Sequence, residues 1–220
     1  MLSAGSTNFQ NNQFLFTNFD PCQRAWLEIS SKAIEVNTRK LKSLVGPECV
    51  LMAVVKADGY GHGAETVAKA ALSGGAGSLG VATIQEGIEL RQAGLNCSIL
   101  LLGNLLNVNE LGACLHWDLV PTLSSVREAL ICQNIASDSG KKFPVHMKVD
   151  TGMSRLGCDL NEALNLYRTI DCFENLKLDG IYSHLAMADS DDEESVITTL
   201  QRQRFESFRS SLSCSEKSLS

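Results

Sequence analysis

No stretch of the 220 residues approaches the roughly 18 uncharged apolar positions of a membrane-spanning helix. The N-terminal segment also lacks the basic start and long apolar centre of a secretory signal. Positive charge is not in excess either. The 19 Lys and Arg stand against 25 Asp and Glu, so the formal charge is −6, which gives no electrostatic footprint for nucleic acid. The eight cysteines, at 22, 49, 97, 114, 132, 158, 172 and 214, form no C-x-x-C pair and no regular spacing, which argues against a zinc site and a small disulfide scaffold. These absences point to a cytoplasmic protein with reduced thiols and no metal, membrane or nucleic-acid partner. What is present is ordinary globular composition, 44% apolar and 20% charged, in a length that suits one large α/β domain better than two.

Met1 to Cys22 is rich in Asn, Gln, Ser and Phe, holds no Lys or Arg and shows no sustained periodicity, so residues 1–23 are expected to be a disordered extension. Ala25 to Ile29 reads as a short strand. Ser30 or Ser31 then caps a helix with apolar positions at Ile34, Leu41, Leu44 and Val45, closed by Gly46-Pro47. From the apolar run Val50 to Val55 onward the chain alternates. Strands are expected at Leu79–Thr83, Ser98–Leu102, Leu119–Leu123, Pro144–Val149 and Leu176–Tyr182. Helices are expected at Ala64–Leu72, Ile84–Gln92 and Val108–Cys114, from Ser124 or Ser125, and at Asn161–Ile170 and Glu194–Ser210. Six βα units with apolar strands argue for a parallel sheet covered by helices, and periodicity leaves a doubly wound sheet and a closed (β/α)8 barrel equally open. The glycines at 74, 75 and 77 follow a helix and precede a strand, the wrong order for a phosphate cradle, and read as helix-terminating turn chemistry. The acidic run Asp189 to Glu194 reads as a solvated loop leading into a helix, and residues 211–220 as a polar tail.

Chemistry gathers at three strand ends. The run Val50 to Val55 stops at Lys56, and Ala57-Asp58-Gly59-Tyr60-Gly61-His62-Gly63 follows, with more glycine, tyrosine and histidine than a solvated turn requires. An amine at the mouth of a buried strand is a usable nucleophile or base, glycines let the backbone pass close to a ligand, and Tyr60 and His62 offer polar contacts. The stretch Ala53 to Gly63, A-V-V-K-A-D-G-Y-G-H-G, resembles the pyridoxal-phosphate attachment motif of the alanine racemase family. The resemblance implies that Lys56 carries the cofactor and serves as a catalytic base, and that Tyr60 helps hold the phosphate.

The second strand end, Val145 to Gly157, presents Lys148 and Arg155 on a glycine-bearing loop, and a guanidinium fork suits a carboxylate. Lys148 to Gly157, K-V-D-T-G-M-S-R-L-G, resembles a second pattern of the same family, with Ser154 where many members have glycine. It implies that Arg155 contacts the cofactor ring oxygen and the substrate carboxylate, that Met153 lines the substrate pocket, and that Lys148, in N-carboxylated form, supports Arg155. At the third end, Tyr182-Ser183-His184 matches the family's strand-end histidine, which packs beside the cofactor ring. His116 and His146 fall in no such motif and read as structural.

The resemblance spans about Arg24 to Phe208. It implies an incomplete parallel (β/α)8 barrel over residues 24–210, with six βα units where closure needs eight. It also implies conversion of L-alanine to D-alanine for peptidoglycan precursors, an amino-acid substrate and a homodimer. Family members continue into a β-rich domain whose tyrosine serves the partner's site as the opposing base. Since Tyr60, Tyr167 and Tyr182 match no such motif, the chain is expected to be a truncated form with little activity alone. The rival expectation, suggested by length, is a non-catalytic pyridoxal-phosphate-binding barrel.

Overall fold

Six strands lie side by side in one parallel sheet whose spatial order, β1-β2-β3-β4-β5-β6, is the order of the chain. They are β1 (Met52–Val54), β2 (Ser78–Val81), β3 (Ser98–Asn104), β4 (Val120–Leu123), β5 (Phe143–Lys148) and β6 (Leu176–Tyr182). A doubly wound sheet must reverse direction at a switch point. This one never does, so it is wound in a single sense like a barrel. Since β1 and β6 do not pair, the barrel is incomplete. The structure is a computed structural model that describes residues 27–105, 107–189 and 196–217. The expected extension over residues 1–23 and most of the acidic run lie outside the described residues. Leu27 to Ile29, the described part of the expected first strand, is irregular. Among the described residues no helix is long and apolar enough to cross a membrane.

The helices are α1 (Ser31–Val45), α3 (Ala64–Ser73), α4 (Ile84–Gln92), α5 (Val108–His116), α6 (Val126–Ser139), α7 (Leu160–Asp171) and α8 (Val196–Lys217), with a single helical turn α2 (Lys56–Gly61) after β1. Helix α8 runs past Ser210 as far as Lys217, through the first part of the expected polar tail. Local chemistry sets the starts. Thr83 with Glu86, and Ser125 with Glu128, form complete capping boxes, while Asn107 and Asp159 accept from the first turns of α5 and α7. Strands β2 and β4 are buried at every position, as in a parallel sheet packed on both faces. Leu79, Ile99, Leu101, Leu123, Phe143 and Met147 are almost wholly removed from water, and burying each such side chain contributes about 1.5–3 kcal/mol.

The loops that enter β3 and β4 are tied by one buried cation. Arg91 donates from Nε to the Trp117 carbonyl (3.1 Å), from Nη1 to those of Leu95 and Cys97 (2.6 and 2.8 Å), and from Nη2 to that of Asp118 (2.6 Å). A planar fork of five donors can reach several carbonyls at once, which a lysine cannot. This end of the sheet is therefore braced by hydrogen bonds, leaving the opposite end for chemistry.

Where β5 meets β6, the His146 ring lies over Gly180 so closely that a Cβ there would stand 2.7 Å from its Cε1. Burial holds the His146 pKa below its ordinary 6.5, and the Asp179 carboxylate offsets this in part. A histidine that is harder to protonate in the folded state than in the unfolded chain leaves stability intact above pH 6.5, and stability falls as pH drops through the folded value. Urea unfolding at pH 7.5 and pH 5 is expected to show that loss, and His146→Phe, which keeps a ring but cannot titrate, is expected to narrow the gap between the two pH values. An equal gap in the variant would assign the acid sensitivity elsewhere.

Candidate functional site

Lys56 leaves β1 at the carboxyl end of the sheet, where the Val55 amide donates to the Gly80 carbonyl of β2 (2.8 Å). The next four residues, Ala57, Asp58, Gly59 and Tyr60, all have left-handed backbone angles, with φ from 51° to 62° and ψ from 35° to 51°. For each of the three that are not glycine this costs roughly 1–2 kcal/mol, so the turn persists only because its surroundings fix it. Gly59 N–H donates to the Val55 carbonyl and Gly63 N–H to the Asp58 carbonyl, both at 2.9 Å. Asp58 Oδ1 accepts from Ala64 N–H (2.8 Å), and Glu86 Oε1 from Ala57 N–H (2.7 Å). Only glycine fits at 59, where a Cβ would meet Val67 Cγ2 at 2.9 Å. His62 turns its Nδ1 onto the turn's own carbonyls, those of Gly59 (3.1 Å) and Tyr60 (3.0 Å).

The turn places Lys56 and Tyr60 at a cavity of about 350 Å³. Strand ends β2 and β3 contribute Ala82, Leu102 and Gly103, β5 contributes Lys148, the following loop Arg155 and Leu156, and β6 Tyr182, Ser183 and His184. Lys56 Nζ is 5.9 Å from the Tyr60 ring centroid and Lys148 Nζ is 5.6 Å from that of Tyr182, within cation–π range. The Tyr182 hydroxyl is engaged with Thr122 Oγ1 at 2.9 Å. Among the described residues no carboxylate lines the cavity. Lys148, 5% exposed, has its pKa lowered by burial and then by the charges of Arg155 and Lys56, against the pull of Asp150. Burial and the cations of Arg155, Lys148 and Lys56 lower that of His184 as well.

The Arg155 loop is closed at its base. Cys158 N–H donates to the Lys148 carbonyl (2.8 Å) and Asp150 N–H to that of Cys158 (2.9 Å), and a Cβ at Gly157 would stand 2.7 Å from Asp150 N. Asp150 Oδ1 gathers the amides of Gly152 (2.9 Å) and Ser154 (3.1 Å). Ser154 sits at φ +56°, which explains why glycine suits this position. The structure thus brings Lys56, Tyr60, Lys148, Arg155 and His184 around one cavity. Met153 is half-buried on the same loop but does not line the cavity, where Leu156 stands instead.

The sequence profile of the alanine racemase N-terminal domain matches residues 29–220. The chain belongs to the alanine racemase N-terminal domain family. It is 58% identical over 195 residues to an alanine racemase of Prochlorococcus marinus, covering 88% of this chain and 50% of that protein. It is 48% identical over 181 residues to one of Synechocystis, covering 82% and 48%. The solved alanine racemase of Clostridium difficile in complex with cycloserine superposes with a TM-score of 0.77 at 31% identity, over 84% of this chain and 50% of that one. The chain spans about half the length of the curated relatives it matches.

Within this alanine racemase domain, the residues that position the site were not singled out by motif. Gln201 of α8, 1% exposed, donates from Nε2 to the His184 carbonyl (2.9 Å) and to Thr151 Oγ1 (3.2 Å), and its Oε1 accepts from Ala186 N–H (2.9 Å). Thr151 Oγ1 in turn meets Ser183 Oγ at 2.7 Å, and Arg204 Nη1 donates to the Thr151 carbonyl (2.9 Å). One side chain therefore joins the loop that carries Arg155 to the one that carries His184. Gln201→Leu keeps the bulk and strands buried partners, so it is expected to destabilise the fold by about 3 kcal/mol or more. Urea unfolding checks this, and a loss under 1 kcal/mol would mean that the clamp is dispensable.

Proposed function

We propose that this chain forms the cofactor-bearing half of a pyridoxal-phosphate-dependent alanine racemase site acting on L- and D-alanine. The observation that carries this reading is the convergence of Lys56, Lys148, Arg155 and His184 on one cavity at the carboxyl ends of parallel strands, which is where barrels of this class hold their sites. The donor set fits the cofactor: one amine for its aldehyde, cations and a tyrosine for its anionic oxygens, and aromatic rings for its faces. When bound, pyridoxal phosphate supplies the electron sink that acidifies the substrate Cα–H.

In this reading Lys56 holds the cofactor and carries the Cα proton on its own face. Tyr60 contributes to the phosphate site, and His184 packs beside the ring. Arg155 orients the substrate carboxylate and meets the ring oxygen, while the loop of Met153 and Leu156 limits the size of the substrate side chain. Burial and two neighbouring cations push Lys148 toward the neutral amine, the form that takes up carbon dioxide. N-carboxylation there would exchange repulsion of Arg155 for attraction.

The assignment of Lys56 has a direct test. Mixing the protein with pyridoxal phosphate is expected to produce visible absorbance that borohydride fixes on the Lys56 peptide, and Lys56→Ala is expected to abolish it. Labelling spread over surface lysines and unchanged in the variant would remove the basis for the site.

Racemisation needs a proton carrier on each face of Cα. Of the three tyrosines, Tyr60 stands on the Lys56 turn, Tyr167 on α7, and Tyr182 is engaged with Thr122, its hydroxyl pKa raised by burial. We assign the opposing carrier to sequence that the relatives have beyond the half shared with this chain. One positioned base is worth roughly 10²–10⁴-fold. The 220-residue chain with excess cofactor is therefore expected to wash deuterium slowly into L-alanine without inverting it, which exchange and chirality measured side by side will show. Inversion at a rate near that of a full-length relative would place the second carrier inside this chain.

A further inference from the structure

We infer that Glu86 is a positioning residue for the Lys56 amine, acting through the amide of the residue that follows it. The inference rests on the reading of Lys56 given above. Glu86 is the third residue of α4 and completes the capping box with Thr83. Its Oε2 accepts from the amides of Ala82 (2.7 Å) and Thr83 (3.1 Å), which is all that the cap requires. The equivalent residue of α6, Glu128, shows the cap in isolation, with its Oε2 accepting from Ser124 and Ser125 N–H at 2.5 and 3.0 Å. The Glu86 carboxylate has a second oxygen in use. Its Oε1 accepts the Ala57 amide at 2.7 Å, across 29 positions of sequence and from a different βα unit.

Ala57 is the first of the four left-handed residues and directly follows Lys56. Apart from the Val55–Gly80 backbone bond that precedes Lys56, the other bonds that fix the turn run within residues 55–64, so past Lys56 they shape it without relating it to the neighbouring strand. Glu86 supplies that relation. One carboxylate grips the strained turn that carries Lys56 and the end of β2, where Ala82 also lines the cavity. A carboxylate can serve donors on both sides, whereas an amide has a single acceptor oxygen. Gln at 86 is expected to turn that oxygen to the two cap amides and present its own N–H₂ to the Ala57 N–H.

Three variants of the 220-residue chain separate this role from capping. Glu86→Ala and Glu128→Ala each remove one capping box and are expected to lower the unfolding midpoint by similar amounts, whereas Glu86→Gln restores it. Backbone amide exchange, measured without cofactor, is expected to quicken at Ala57 by about tenfold or more in both Glu86 variants, the worth of one charge-assisted hydrogen bond, and to be unchanged in Glu128→Ala. Borohydride trapping of pyridoxal phosphate on Lys56 is expected to slow in the same two variants, including the stability-rescued Glu86→Gln. Ala57 exchange and Lys56 trapping at wild-type rates in the Glu86 variants would overturn the inference. Failure of the wild-type protein to label Lys56 would instead sink the functional reading, while the exchange comparison still decides the role of Glu86.

Discussion

Like charges crowded into one cavity are the constraint around which this structure is arranged. Lys56, Lys148 and Arg155 share walls that, among the described residues, hold no carboxylate, and burial first, then the neighbouring cations, lower the pKa values of Lys148 and His184. Nothing in the cavity draws these side chains together, so the backbone must hold them. Lys56 and Arg155 are carried on a turn and a loop whose amides are held by acids that do not line the cavity. Glu86 and Asp58 fix the Lys56 turn, and Asp150 fixes the Arg155 loop. The acids bind backbone amides, and Asp150 offsets only in part the lowering of the Lys148 pKa, so the cavity keeps a positive field that suits an anionic ligand.

The two ends of the sheet divide the work. At the amino end Arg91 takes four carbonyls and ties two loops together, a stabilising arrangement with no cavity chemistry. At the carboxyl end the same kinds of bond hold strained backbone, with Ala57, Asp58, Tyr60 and Ser154 in the left-handed region. The strain is local and the bracing is remote. Gln201 reaches back from the last helix to the loops after β5 and β6, so the site also depends on an element that contributes no atom to its lining.

The alternation of strand and helix was legible because parallel strands buried on both faces leave continuous apolar runs, and because Ser125 announces its helix; Thr83, read as the end of a strand, and Asp159 proved to be caps as well. Sheet order was not, since periodicity says what a segment is and not what lies beside it; the resemblance at Lys56 and Arg155 supplied the barrel. The left-handed turn was hidden because Ala57, Asp58 and Tyr60 are not residues that choose such angles, and only the glycines at 59, 61 and 63 hinted at it. Gln201 was hidden among Arg202, Gln203 and Arg204 in a polar helix, where no local pattern separates a buried amide from a solvated one. Leu156 rather than Met153 at the cavity reflects how the Asp150-centred loop turns, which a motif cannot encode.

Curvature accounts for how one cavity draws on both ends of an open sheet. Six flat strands spaced about 4.8 Å apart would put β1 and β6 roughly 24 Å from one another. Yet Lys56 after β1 and His184 after β6 line the same cavity. The sheet is therefore bent into an arc whose end strands face each other across the site without pairing. Large apolar side chains stand exposed at both ends of this arc, Leu44 and Val50 beside β1, Leu185 and Met187 after β6. Bending, not closure, is what gathers the cations. On the proposed reading the arc supplies Lys56, Tyr60, Arg155 and His184 to the cofactor, and the face of the substrate opposite Lys56 is a part that closure and the remaining sequence of the relatives would have to supply.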